Sequence, residues 1–230
     1  MTKRDQAFND ILPLLELRLF SYDFLRRTFL KEPTKDFFQD IKNYFAGSEF
    51  PLTQENELIA EGVAQVKRYV IQNDLLSESV YNSLHWDYTR MFIGPYELPS
   101  PPWESAYCNE ERLLFQEETL EVRKAYLKYS LLPVELGHEA DDHLGLELDF
   151  MFRLNELLLS ESNNSSSQQI ENLKDQKLFL EDHLLKWVPA FSEDVIQNAD
   201  TEFYQGMAKI LKGFLTLDLK ALEELLDIIS

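Results

Sequence analysis

Residues 88–103, YTRMFIGPYELPSPPW, constrain this chain more than any other stretch of it. The run follows a helical pattern and then meets four prolines and one glycine between Gly94 and Pro102. Proline removes an amide donor and fixes φ, so the segment can be neither helix interior nor central strand. It nevertheless carries Phe92, Ile93, Tyr96, Leu98 and Trp103, too much apolar area for an ordinary solvated loop. A stiff aromatic loop in a helical chain serves as a packed corner or as the wall of a binding groove.

The rest of the chain reads as helix. Apolar residues recur at helical spacing over residues 6–31, 35–45 and 55–72, the last with Thr53 as its N-cap. A fourth helix opens at Ser77 and runs into the proline loop, and a fifth covers 110–129. Asp141 or Asp142 caps a sixth. A seventh runs to Trp187 and is closed by Pro189, a short turn follows over 191–198, and a last helix spans 201–229 with a kink near Gly213. Seven glycines and few β-branched runs favour helix over sheet. The expected fold is all-α: a compact bundle of roughly eight or nine helices in a single domain, 1–230. A connector at 131–139, interrupted by Pro133 and Gly137, would divide it into an N-terminal half, 1–130, and a C-terminal half, 140–230. The low-complexity run SESNNSSSQQ, 160–169, reads as a mobile loop.

Charge and cysteine content narrow the partners. A formal net charge of −19 disfavours binding to nucleic acid and favours a cationic peptide. Glu139, Asp141, Asp142, Glu147 and Asp149 fall within eleven residues that hold no Lys or Arg. The single cysteine, Cys108, excludes an intrachain disulfide and suits a reducing compartment. No secretory signal is visible and no run approaches the ~20 apolar residues of a membrane span. A cytoplasmic, soluble protein without stable membrane insertion is expected.

Catalytic chemistry finds little support. His138-Glu139 and Asp142-His143 invite a metal-dependent hydrolase built on His143 and its neighbouring acids, but the zinc motif needs histidines four residues apart. Here they lie five apart, about 140° around a helix. No phosphate loop and no nucleophile elbow occur. No catalytic residue, metal or cofactor is expected. Asp141 and Asp142 are suited to capping free amides at a helix start. Gly145 in the first turn costs ~1 kcal/mol relative to alanine, which makes sense if a neighbouring helix or a bound peptide comes close. His183 shares a stripe with Phe179 and Trp187 and reads as a hydrogen-bonded core histidine. Trp86, Trp103 and Tyr107 read as packing residues.

Three blocks together carry a family resemblance. Arg90, Phe92, Gly94, Pro95, Leu98, Pro99, Pro101, Pro102 and Trp103 resemble the F-x-G-P…L-P-x-P-P-W signature of the TorD/DmsD chaperones. Asp141-Asp142-His143-Leu144-Gly145 with Glu147 and Leu148 is similar to that family's E-P-x-D-H-x-G-x-E-L block, with Ala140 in place of its proline. Residues 179–191, FLEDHLLKWVPAF, are similar to its F-x3-H-L-x2-W-x-P-x-F. The family escorts redox enzymes, mostly molybdoenzymes, to the twin-arginine export machinery. The resemblance implies a chaperone that binds the twin-arginine leader, and the body, of a redox enzyme precursor until cofactor insertion is complete. It places leader binding at Tyr88, Arg90, Phe92, Gly94, Pro95, Leu98, Pro99, Pro102, Trp103, Asp141, Asp142, His143, Gly145 and Glu147. Leader arginines would meet carboxylates such as Asp142. The alternative within reach is an assembly factor of the NarJ type, which acts on a non-exported oxidoreductase subunit. Either a monomer or a swapped dimer fits. Arg26-Arg27-Thr28-Phe29-Leu30-Lys31 also reads R-R-x-F-L-K, the core of the leader motif such chaperones recognise. Its simplest reading is a basic helix end complementing the dipole. The sharper one is self-mimicry, with this segment in the leader groove.

Overall fold

The computed structural model describes residues 3–109, 111–132, 139–160 and 166–229. Ten α-helical segments occur in these residues: α1 Lys3–Phe29, α2 Lys35–Gly47, α3 Glu57–Gln72, α4 Glu78–Phe92, α5 Ser105–Cys108, α6 Glu117–Lys128, α7 Leu144–Ser160, α8 Ser166–Phe179, α9 Leu185–Asn198 and α10 Glu202–Ile229. A five-residue π-turn, Leu180–Leu184, joins α8 to α9. The protein is all-α, as the sequence pattern requires.

Local chemistry explains where the helices start. Thr34 follows Pro33 and accepts the amide of Phe37, which opens α2. In α3 the cap is Asn56, whose side chain accepts from Leu58 and Ile59. Thr53 is not the cap: its hydroxyl donates to the carbonyl of Phe50. The helix expected over 110–129 begins only at Glu117, because Arg112 and Phe115 hold φ of 52° and 59°, a left-handed geometry no helix can contain. Pro189 does not close a helix either. It lies inside α9, where the burial of Trp187, Val188 and Phe191 outweighs the ~3 kcal/mol that an interior proline costs. Ser166–Gln169, expected in a mobile loop, open α8; residues 161–165 of that loop and 133–138 of the connector lie outside the described residues.

One hydrophobic cluster runs from Ile11 to Leu225 and draws on both halves of the chain. Its axis is α10, packed along α3 so closely that glycines are needed where they cross. A Cβ on Gly206 would stand 2.7 Å from the Gly62 carbonyl oxygen, and one on Gly213 2.8 Å from the Ile59 side chain. Gly213 thus serves contact within a helix assigned as unbroken over Glu202–Ile229. Helix α1 packs on α7, and the end of α1 sets the position of the candidate site. Trp86, expected to pack, is 64% exposed, because its place on α4 faces an open groove between α3, α4 and the start of α10.

Candidate functional site

The proline loop is strapped to the turn that precedes α7. The Pro102 carbonyl accepts the amide of Leu144 at 2.9 Å, and the Glu104 amide donates to the Asp142 carbonyl at 3.0 Å. Trp103 and His143 thereby face each other as an antiparallel bridge. The strap is favoured by Pro101 and Pro102, whose fixed φ and missing amide donors leave them no competing hydrogen bonds to give. Ser100, Pro101 and Pro102 are buried beneath it.

Asp142 is a structural post in this arrangement. Its carboxylate accepts the Ser105 amide and the Thr119 hydroxyl, both at 2.8 Å, and it is fully buried. It therefore holds the start of α5 and the first turn of α6, and does not cap α7 as the sequence suggested. That cap comes from His143, whose Nδ1 accepts the Gly145 amide at 3.0 Å. Burial pushes the imidazole down to about 4, against the pull of Glu139 and Asp142, so the ring is neutral and an acceptor. Trp103 stacks edge-on to His143 and donates its indole N–H to Glu139. Gly145 answers to a neighbouring element: a Cβ there would lie 2.2 Å from Leu30 Cα at the end of α1.

Behind the strap lies a dry cluster that joins all three sequence blocks. Glu147 is fully buried, receives the Trp187 indole N–H at 3.2 Å, and has no donor on its other oxygen among the described residues. Burial first, then Glu104 and Asp142, push its carboxyl well above the usual range. Glu104, the residue after Trp103, pairs with His183 Nδ1 at 2.9 Å. His183 is thus the hydrogen-bonded core histidine its stripe suggested. Glu104, Thr119 and Arg123 escaped sequence reading, since each gains its partner from a distant element; the only local signal was that Glu104 directly follows the P-P-W run.

The named residues divide by exposure. Tyr88, Phe92, Pro102, Asp141, Asp142, His143, Gly145 and Glu147 are buried, whereas Gly94, Leu98, Pro99 and Trp103 are half-buried and Arg90 and Pro95 exposed. Tyr88 donates to the Phe29 carbonyl, and Phe92 packs on Phe29 and Phe191. Gly94 takes φ of 107°, which turns the chain out of α4. Arg90 pairs with Asp87 and Asp200, away from the strap. Next to Pro95, Tyr96 is 87% exposed and Ile93 59%, so the tip of the loop offers an apolar surface. The Arg26–Lys31 hexapeptide lies against the same blocks from inside the fold: Phe29 is buried, Arg26 pairs with Asp149 at 3.0 Å, and Arg27 with Asp40 at 2.6 Å.

Among the described residues no group of three or more His, Cys, Asp or Glu is placed to hold a metal ion; His138 lies outside them. Among them also, no helix is long and apolar enough to cross a membrane. Comparison with known proteins gives a family. The model of the nitrate reductase delta subunit family matches residues 54–193. The Tat proofreading chaperone DmsD of Salmonella typhi is 33% identical over 131 residues, 56% of this chain and 57% of that protein. The chaperone protein TorD of Aliivibrio salmonicida is 24% identical over 216 residues, 93% and 98% of the two chains. TorD of Aliivibrio fischeri is 29% identical over 145 residues, 63% and 66%.

Proposed function

Since this chain belongs to the nitrate reductase delta subunit family, with TorD and DmsD chaperones among its relatives, we propose that it is a cytoplasmic chaperone for the twin-arginine leader of a redox enzyme precursor. The observation that carries this reading is the convergence of three separate sequence blocks on one hydrogen-bonded strap and the buried cluster behind it, beside a loop tip that leaves Tyr96 and Ile93 in solvent. Buried carboxylates fix the strap, and the exposed face of the loop takes the apolar part of the leader. The leader's arginines meet the exposed Glu139 and, beneath Arg123, the buried Asp141 through charge-assisted hydrogen bonds. The chaperone holds the client until its cofactor, in the proposed case a molybdenum cofactor, is inserted, and no covalent step is required of it.

A net charge of −19 makes the salt response the natural test. A synthetic twin-arginine leader should bind with micromolar or tighter affinity by calorimetry, and binding should weaken as salt screens the attraction. Affinity equal at low and high salt would remove electrostatics from the account. The family description favours a second reading, an assembly factor of the NarJ type for a non-exported subunit. That protein would capture a subunit lacking any leader and ignore the leader peptide alone.

A further inference from the structure

Helix α6 presents three residues at helical spacing to the turn before α7. Thr119 holds the Asp142 carboxylate, Arg123 donates its Nε to Asp141, and the Tyr126 hydroxyl donates to the Asp141 carbonyl. The outer two are buried, Thr119 at 3% and Tyr126 at 2% exposure. Arg123 differs, with 41% of its side chain in solvent over a carboxylate that is 1% exposed. The Asp141 seat is also only half used. Arg123 reaches one carboxylate oxygen, while the other, Oδ1, is buried and has no hydrogen-bond donor among the described residues.

A guanidinium satisfies a carboxylate best through two parallel N–H donors. Asp141 therefore offers a second guanidinium a geometry that Arg123 does not exploit. We infer that Arg123 is a resident stand-in for a ligand arginine: it occupies the Asp141 seat in the empty chaperone and swings out when an arginine of the leader takes its place. The inference rests on the leader-binding reading. An unpaired buried carboxylate is costly, and a resident arginine keeps Asp141 paired and covered until the exchange. Replacing one guanidinium by another leaves that burial cost nearly unchanged, so the swap is decided by the better geometry of the incoming group. Thr119 and Tyr126 keep the turn in place while Arg123 moves. Arg123 is thus an intramolecular competitor that sets the affinity and the preference for arginine.

The test is calorimetry of a twin-arginine leader peptide against wild type, Arg123→Gln, Asp141→Asn and the double variant. Removing the competitor should tighten binding about tenfold, and the gain should vanish in the double variant and for a peptide whose two arginines are glutamine. Wild type that binds the leader while Arg123→Gln binds it equally or more weakly overturns the inference and leaves the leader reading standing. If neither protein binds the peptide, the leader reading itself falls and takes the inference with it. Should Arg123→Gln fail to fold, Arg123→Lys decides instead: an ammonium is a weaker rival for the seat, so tighter binding supports the competitor and unchanged affinity overturns it.

Discussion

A carboxyl group without access to water and with one donor in reach keeps its proton. Glu147 is such a group, facing Glu104 and Cys108 at α5, Tyr126 on α6, Asp142 before its own helix, and Trp187 on α9. Its folded pKa is raised, so whatever it contributes to stability is complete below the unfolded carboxyl pKa and is lost as pH rises from there towards the folded value. At neutral pH Glu147 is a cost. Glu147→Gln keeps an acceptor for Trp187 and gains a donor towards Glu104, so it should stabilise the protein by about 1–2 kcal/mol at neutral pH. Its advantage over wild type in denaturant melts should grow from pH ~4.5 upwards; an advantage independent of pH would show that Glu147 is ionised in the fold. His143 acts in the opposite sense. Its folded pKa is lowered to about 4, so its contribution is complete above ~6.5 and lost as pH falls towards the folded value. Glu147 and His143 could be picked from the sequence as motif members. Their protonation could not, because burial sets it in both, and for Glu147 also Glu104, which folding brings in from another element.

At the scale of helices, periodicity was sufficient along most of an apolar stripe that faces the core, as in α3 with Val63, Val66 and Val70, though Ile59 and not Leu58 is the buried residue in its first turn. It failed at ends and breaks, where a single hydrogen bond or a single φ decides. Asn56 outcompetes Thr53 as cap, two left-handed residues delay α6, and buried aromatics carry α9 through Pro189. Gly145 shows how an element's position can hang on one missing methyl group. Alanine gains ~1 kcal/mol over glycine in an exposed helix interior, but here its Cβ would stand 2.2 Å from Leu30 Cα, a backbone atom that cannot swing aside. The clash wins. Gly145→Ala should destabilise the protein by at least about 3 kcal/mol and loosen the end of α1, seen as faster hydrogen exchange at residues 26–30. A melt within 1 °C of wild type would mean that α1 and α7 separate at little cost there.

The molecule as a whole is pinned by a charged side chain that no local pattern marks for the interior. Arg18 on α1 is fully buried, where it meets Asp218 of α10 at 2.6 Å, Asn155 of α7 at 3.0 Å and Gln176 of α8 at 2.7 Å. Tyr22 adds a bond to Asp218 at 2.7 Å. Four helices from both halves of the chain share this one guanidinium. In the sequence, Arg18 only interrupts an apolar stretch, and the partners that make its burial tolerable lie more than a hundred residues away. Breaking the pair from one side should cost far more than the pair is worth, because it strands the other charge in a dry interior. Arg18→Met should therefore lose about 3–5 kcal/mol. Arg18→Met with Asp218→Leu should recover at least ~2 kcal/mol of that loss, although the Tyr22 hydroxyl and the side-chain oxygens of Asn155 and Gln176 then lose their bonds to the pair. Urea melts of the two single variants and the double measure this coupling directly. Additive losses would show that water reaches the site and screens the two charges, and the network would then be a surface feature that happens to lie deep in the bundle.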